Sequence, residues 1–276
     1  MLNRRHLIAA AGALTAPGAL AACASTPSAT GREVTVATFN IWHDMGVWAT
    51  RRPMVIRALA ALNADIIGLQ EVLQDEGLPN QAEDIAQALG GYDVHFVSID
   101  PPGQARRYGN AVLSRLPVLA RDEMKLRPLD DSRTAAHVQV DLDGSPVDIF
   151  NTHLHWRQEG GAIRAQQIAD LLNFIDSRSD DAPSLVIGDM NAVIDWPEFQ
   201  PLLARYDDAW RLHNPTAEEP TTLVPGLHQT AVRIDHVLVE TDRFTVRDAR
   251  LFATEAYAAG VYPSDHFGVM ARLAVR

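Results

Sequence analysis

Cysteine occurs once in the 276 residues, at Cys23, so no disulfide can form within the chain. Lysine is equally scarce, with Lys125 the sole example, and 24 basic residues face 35 acidic ones for a formal net charge of −11. Such a surface repels polyphosphate at long range, which argues against a broad nucleic-acid groove built on basic side chains alone. A bound divalent cation or a few local arginines can still reverse the field at one site. There is no Gly-x-Ser-x-Gly turn, so a serine esterase of that design lacks its nucleophile elbow. The block Gly188-Asp189-Met190-Asn191 carries methionine where a Gly-Asp-Ser lipase would need serine. The apolar run near the N-terminus is too short, and too rich in alanine and glycine, to be a convincing membrane-spanning helix.

What the N-terminus does contain is ordered. Arg4-Arg5 precede a moderate Ala/Gly/Leu run that ends in Leu20-Ala21-Ala22-Cys23. The arginine pair resembles a twin-arginine export signal, and the last four residues resemble the bacterial lipobox, whose cysteine is lipidated. Residues 1–23 are therefore expected to be an export signal and Cys23 a lipid anchor. Residues 24–32 read as a flexible tether. The expected location is the bacterial cell envelope, outside the cytoplasm. An N-terminal amphiphilic helix with a buried thiol would leave the arginine pair, the small residues and the lone cysteine as three coincidences. Removing Arg4 and Arg5 leaves 22 basic against 35 acidic residues.

From residue 33 to 276 no long Pro/Gly/Ser linker appears, and 47% hydrophobic content can fill a large core, so one domain is expected. Within it runs a faint internal echo. A strand pattern at 34–40 is followed by a helix that Pro53 is expected to open, with Val55, Leu59 and Leu62 on one face, and then by a strand at 66–71. The second half repeats this order: a strand at 147–153, a helix with Ile168, Leu171, Leu172 and Ile175 at helical spacing, and a strand at 185–189. Each is a strand–helix–strand crossover whose helix covers one sheet face and leaves the other to be buried. Two sheets packed face to face with helices outside satisfy both halves. Further strand-like runs stand at 111–113, 136–140, 235–239 and 267–270. The stretch 207–229 shows little periodicity and reads as a surface loop region.

The strand ends carry the chemistry. They supply Asn40, Glu71, His153, Asp189, Asn191, Asp235, Asp265 and His266. In open α/β sheets ligands collect at the carboxyl edge of strands. Oxygen ligands without a cysteine cluster suit a hard cation such as Mg²⁺ or Mn²⁺. Histidine beside carboxylate suits proton transfer. These are the parts that phosphoester hydrolysis needs. Singly, each has a plain structural reading: Asn40 and Asn191 as turn amides, Glu71 as a solvated strand end, Asp235 as a partner of Arg233, His153 as an edge histidine.

Seven blocks stand in one order: Thr38-Phe39-Asn40-Ile41-Trp42, Leu69-Gln70-Glu71-Val72, Gly109 to Arg115, Asn151-Thr152-His153-Leu154, Gly188 to Asn191, Arg233 to Val237, and Ser264-Asp265-His266. In this the sequence resembles the endonuclease/exonuclease/phosphatase superfamily, which includes secreted DNases, abasic-site endonucleases, inositol-polyphosphate phosphatases and neutral sphingomyelinases. The resemblance implies a DNase I-like four-layer αββα sandwich. It implies Glu71 as principal metal ligand, Asn40 near metal and phosphate, and Asp265 as a further metal contact. Asp189 would position or deprotonate water, and Asn191 would hold the water or a phosphate oxygen. His266, paired with Asp235, would bind phosphate or act as base, and His153 would stabilise the transition state.

Arg133, Tyr108 and Asn110 are weaker candidates for substrate contact. Trp42, Trp48, Trp156 and Trp196 each follow an active-edge strand, where they could wall a pocket for a base, sugar or lipid headgroup. His43 and His155 carry no assignment. The expected activity is metal-dependent hydrolysis of a small or lipid-headgroup phosphoester, by a monomer with no protein partner implied. The alternatives are an extracellular nuclease of the same superfamily and a non-catalytic lipid-anchored binding protein.

Overall fold

The computed structural model describes residues 32–179, 181–257 and 260–276. The expected export signal, Cys23 and nearly all of the tether lie outside them. Among the described residues, no helix is long and apolar enough to cross a membrane.

Both crossover units are present. The first is β1 (Glu33–Asn40), α1 (Trp48–Leu62) and β2 (Ile66–Gln74), followed by α2 (Gln81–Leu89). Its two strands are parallel, with Asn40 opposite Gln70. Two six-stranded sheets hold the units. The first sheet runs β11 (Phe244–Phe252), β12 (Gly268–Val275), β1, β2, β4 (Arg107–Ser114), β3 (Asp93–Ser98). The second runs β5 (Val118–Lys125), β6 (Thr134–Leu142), β7 (Ser145–His153), β8 (Ser184–Asp189), β10 (Asp235–Val239), β9 (Asp207–Asp208). The other crossover unit is β7, α3 (Gly161–Asp176) and β8, again a parallel pair, with His153 opposite Asp189.

The apolar clusters define four layers. Val34, Val36, Ile66 and Val112 of the first sheet meet Val138, Ile149, Leu185 and Val237 of the second. Outside the first sheet, Phe39, Ile67 and Leu69 pack on Val55 and Leu59 of α1 and Ile85 of α2. Outside the second, Phe150 and Val186 pack on Ile168, Leu171 and Ile175 of α3. This is the expected αββα sandwich.

The period of two along a strand then decides what reaches the site. The inward residues of β1 are Val34, Val36, Thr38 and Asn40; those of β7 are Val147, Ile149, Asn151 and His153. On β8 they are Leu185, Ile187 and Asp189, and on β10 Val237 and Asp235. Every inner face begins apolar and turns polar toward one edge. Where the change occurs, the sheets are pinned by buried amides. Asn151 donates to the carbonyls of Leu69 (3.1 Å) and Ala111 (2.9 Å) on the opposite sheet, and accepts from Gln70 Nε2 at 2.6 Å. The pairing of β2 with β4 shifts register between Leu69 and Val72. A bulge interrupts the ladder there, and Asn151 supplies donors to carbonyls beside the break.

Two expectations change. Helix α1 starts at Trp48, so Pro53 lies inside it rather than at its opening. The 207–229 stretch is no surface loop. It holds β9 and a short helix at Ala209–His213. It also buries Asp208, Trp210, Thr222, Leu223 and Val224. Its polar sequence is deceptive because Arg233, itself fully buried, takes up Asp208 in the interior (2.8 Å) and pairs outward with the exposed Glu219.

Candidate active site

Asp189 is the centre of the polar edge. Its strand can end there because Gly188 has φ 144° and lies against β7, where a Cβ would fall 2.0 Å from the Thr152 carbonyl. Oδ2 of Asp189 accepts from Asn40 Nδ2 at 3.0 Å and lies 3.4 Å from His153 Nε2 and 3.8 Å from His266 Nε2. Oδ1 accepts from the Asn191 N–H at 2.9 Å. Asn191 sits at φ 48°, a left-handed turn that asparagine tolerates, and its amide donates to the Leu154 carbonyl at 3.0 Å.

Each histidine has a readable state. Arg133 Nη1 lies 2.9 Å from His153 Nδ1. A guanidinium can only donate, so Nδ1 is the acceptor and the ring proton sits on Nε2, toward Asp189. Burial, then the Arg133 and His266 charges, hold the His153 pKa well below its usual value, so it stays neutral. His266 is the opposite case. Burial disfavours its charge, but Asp235, at 2.9 Å from Nδ1, and then Asp189 outweigh this and keep it an imidazolium. Asp189 itself is pushed up to about 7 by burial and by the Asp235 charge.

These groups open on a cavity of about 500 Å³. Glu71 lines it from the β2 bulge, in a left-handed conformation (φ 57°) that aims its carboxylate off the strand. Tyr108, Arg133, His153, Asp189, Asn191, Asp265 and His266 line it too. Asn40 and Asp235 stand behind this wall. Asn40 is occupied at both ends, donating to Asp189 and accepting from the Trp42 N–H at 3.0 Å, so here it supports Asp189. Asn110 does not line the cavity. Its amide is buried and spent on Thr134, at 3.0 and 3.1 Å, joining the two sheets.

Four carboxylates, those of Glu71, Asp189, Asp235 and Asp265, thus gather about two cations, Arg133 and the His266 imidazolium. One buried oxygen, Asp235 Oδ1, has no hydrogen-bond partner among the described residues. This excess of oxygen donors suits a hard dication. The groups of three possible ligands among the described residues are His228–Asp265–His266 and Asp189–Asp235–His266. Glu71 belongs to neither and faces His43 Nε2 at 3.9 Å. His228 and His43 are additions that sequence reading missed. His228 lies in the stretch read as surface loop, and the Val224 N–H to Asp265 carbonyl bond (2.9 Å) brings that stretch to the site. It reaches Asp265 at 3.1 Å.

Two buried arginines support the rim. Arg51, fourth residue of α1, donates to the carbonyls of Ile41, Trp42, His43, Met45 and Pro263 at 2.7–2.9 Å. Arg164, fourth residue of α3, donates to the carbonyls of His155, Arg157 and Gln158 and to Glu198. The crossover echo therefore extends to the loops: each helix ties down the segment that follows the first strand of its unit. Trp42 and Trp48 pack against Arg51, at 5.0 and 5.4 Å, instead of walling the cavity. Trp156 and Trp196 do line it.

The sequence profile of the Endonuclease/Exonuclease/phosphatase family matches residues 37–266. The chain belongs to this family. Its members are phosphoesterases, and divalent metals are typical of them. The chain is 31% identical over 170 residues to protein angel homolog 2 of Danio rerio, covering 53% of this chain and 28% of that protein's length. Among solved structures in the family's fold, a mannosyl-6-phosphatase of Bacteroides thetaiotaomicron superposes with TM-score 0.70 at 20% identity, over 87% of this chain and 99% of that one. The TDP2 of D. rerio complexed with a single-strand DNA product gives 0.72 at 17% identity, over 87% and 98%. At such identities these likenesses speak for the fold alone, and one fold serves many substrates.

Proposed function

We propose that this member of the family is a divalent-metal-dependent hydrolase of small phosphoesters, exported and held at a membrane surface through Cys23. The observation that carries the hydrolase reading is the setting of Asp189. It is a buried carboxylate with a raised pKa, held by Asn40 and the Asn191 N–H, between a neutral and a charged histidine at the floor of a cavity. A group poised near neutrality can take a proton from water.

The roles follow from the states of the groups. Asp189 orients water and accepts its proton. His266, cationic and fixed by Asp235, faces the phosphate charge. His153 offers its Nε2–H to an oxygen in the cavity, and Arg133 holds that tautomer. Glu71 and Asp265 would hold the Mg²⁺ or Mn²⁺, which when bound supplies charge neutralisation for the phosphoryl oxygens. A cavity of this size, with one lysine in the whole chain, favours a small molecule over a polynucleotide. The shared fold of a mannosyl-6-phosphatase, so named, supports a small-molecule substrate. Export and anchoring rest on Arg4-Arg5 and the Leu-Ala-Ala-Cys block.

The test is a panel of p-nitrophenyl phosphate, bis-p-nitrophenyl phosphate and DNA, assayed with Mg²⁺, Mn²⁺ and EDTA. Metal-dependent turnover of at least one ester is expected, with DNA the poorest. Silence across the panel would sink the enzyme reading, and best turnover on DNA would turn it into the nuclease one. With Glu71→Gln, the metal concentration for half-maximal rate should rise at least about 10-fold. An unchanged metal requirement would remove Glu71 from the ligand set.

A further inference from the structure

The cavity lining is of two unlike kinds. One consists of the charged groups described above. The other is built from Trp156, Trp196, Leu223, Val232 and Ile234. Trp156 is 62% exposed, although a ring of that size is normally covered. Phosphate has no use for such a wall. Something attached to the phosphate has.

The two rings share one buried support, Arg164. Arg164 is 1% exposed, and its donors go to the loops that carry both tryptophans. It binds the carbonyls on either side of Trp156, those of His155 (3.2 Å) and Arg157 (2.6 Å), and that of Gln158 (3.1 Å). It also binds Glu198, two residues beyond Trp196, at 2.8 and 3.0 Å, while its guanidinium lies 5.1 Å from the Trp196 ring. The first loop is further packed at Gly160, where a Cβ would fall 2.0 Å from the His155 ring. Arg157 lies over Trp156 at 5.1 Å. One buried residue thus ties the backbone on either side of Trp156, a few residues beyond His153, to the segment that carries Trp196. Aromatic platforms set in advance lose little entropy when they bind.

We infer that Trp156 and Trp196 form a recognition wall for a ring with a flat apolar face, a pyranose or a nucleobase, borne by the phosphoester. This rests on the hydrolase reading and adds to it the class of organic group. The polar side chains of Gln158 and Thr230, which also line the cavity, are available to hydroxyl or amide groups at the ring's edge.

The experiment compares hexose 6-phosphate, a nucleoside 5′-monophosphate and glycerol 3-phosphate as substrates of the full-length protein with Mn²⁺. At least one ring ester should exceed glycerol 3-phosphate in kcat/KM by about 10-fold or more, in line with the value of aromatic stacking. Which ring ester leads tells sugar from base. Trp156→Ala should lower kcat/KM for the preferred ring ester about 10-fold, leave glycerol 3-phosphate within about 2-fold, and be largely rescued by Trp156→Phe. Trp156 is exposed, so the variant is expected to fold. Equal losses on ring and chain esters, or a wild-type preference for the chain ester, overturns the inference. A binding readout separates it from the hydrolase reading. In Asp189→Asn protein, the preferred ring ester should quench tryptophan fluorescence while glycerol 3-phosphate does not. Ring-selective quenching without turnover by the wild type would sink the hydrolase and leave the wall; turnover of all esters without selectivity would do the reverse.

Discussion

Asp189→Asn is expected to lower kcat by about 10²–10⁴ while making the protein more stable at pH 8. The first effect is the loss of the proton acceptor. The second follows from its pKa, raised from 3.8 to about 7 by burial and by the neighbouring Asp235 charge. The folded protein keeps a proton on Asp189 up to about pH 7, the unfolded chain only to about 3.8. Stability therefore declines as pH rises between those values, and the penalty is complete above them. Such a rise is worth up to about 4 kcal/mol. Asparagine removes the buried charge and the slope together. His266 keeps its ion pair with Asp235, so the histidine stays charged. Melting curves in EDTA should show the variant several degrees above wild type at pH 8 and the gap closing toward pH 5. A variant less stable than wild type at pH 8 would mean that Asp189 is not a stored cost of function.

Arg51→Met is expected to destabilise the protein by at least about 3 kcal/mol and to abolish turnover, although Arg51 touches no substrate. The loop it holds contains three non-glycine residues with positive φ, Trp42 (58°), His43 (28°) and Val47 (63°). Such conformations cost of order 1–3 kcal/mol each and persist only when their surroundings impose them. Here the imposition is five hydrogen bonds from one guanidinium, which is buried deeply enough that its pKa falls to about 10. Methionine fills the volume and supplies none of the donors. Arg51→Lys should recover little, because a point charge cannot serve five carbonyls in a fork. Chemical denaturation with the metal-dependent assay on the same samples checks both halves. A variant that melts normally and still hydrolyses phosphoesters would show that the loop holds itself.

The crossover units were legible because strand and helix periods are local, and a parallel pair needs a helix between its strands. The strand ends were legible for the same reason: in each pattern the last inward position follows from the first. What the sequence hid were contacts made by the chain's polar atoms over long range. Arg51 and Arg164 stand on helices whose sequence pattern marks only the apolar residues as buried, and nothing in that pattern says that loop carbonyls wait above the arginines. His228 was lost in a stretch too polar to look buried, because the arginine that neutralises its acids, Arg233, comes later in the chain. Glu71 was placed at a strand end, yet the bulge that turns it outward is a backbone event with no residue signature. Asn110, although inside a family block, belongs to the seam between the sheets.

The paired arginine clamps bear on how the protein fails. Loops at a catalytic mouth usually open at little cost, well before the core melts. Here the segments after β1 and β7 are fastened to α1 and α3, and those helices are outer layers packed on the two sheets. Neither loop can loosen without pulling a buried guanidinium out of its carbonyls. The mouth therefore belongs to the same cooperative unit as the sandwich, so heat should erase activity and fold in a single step.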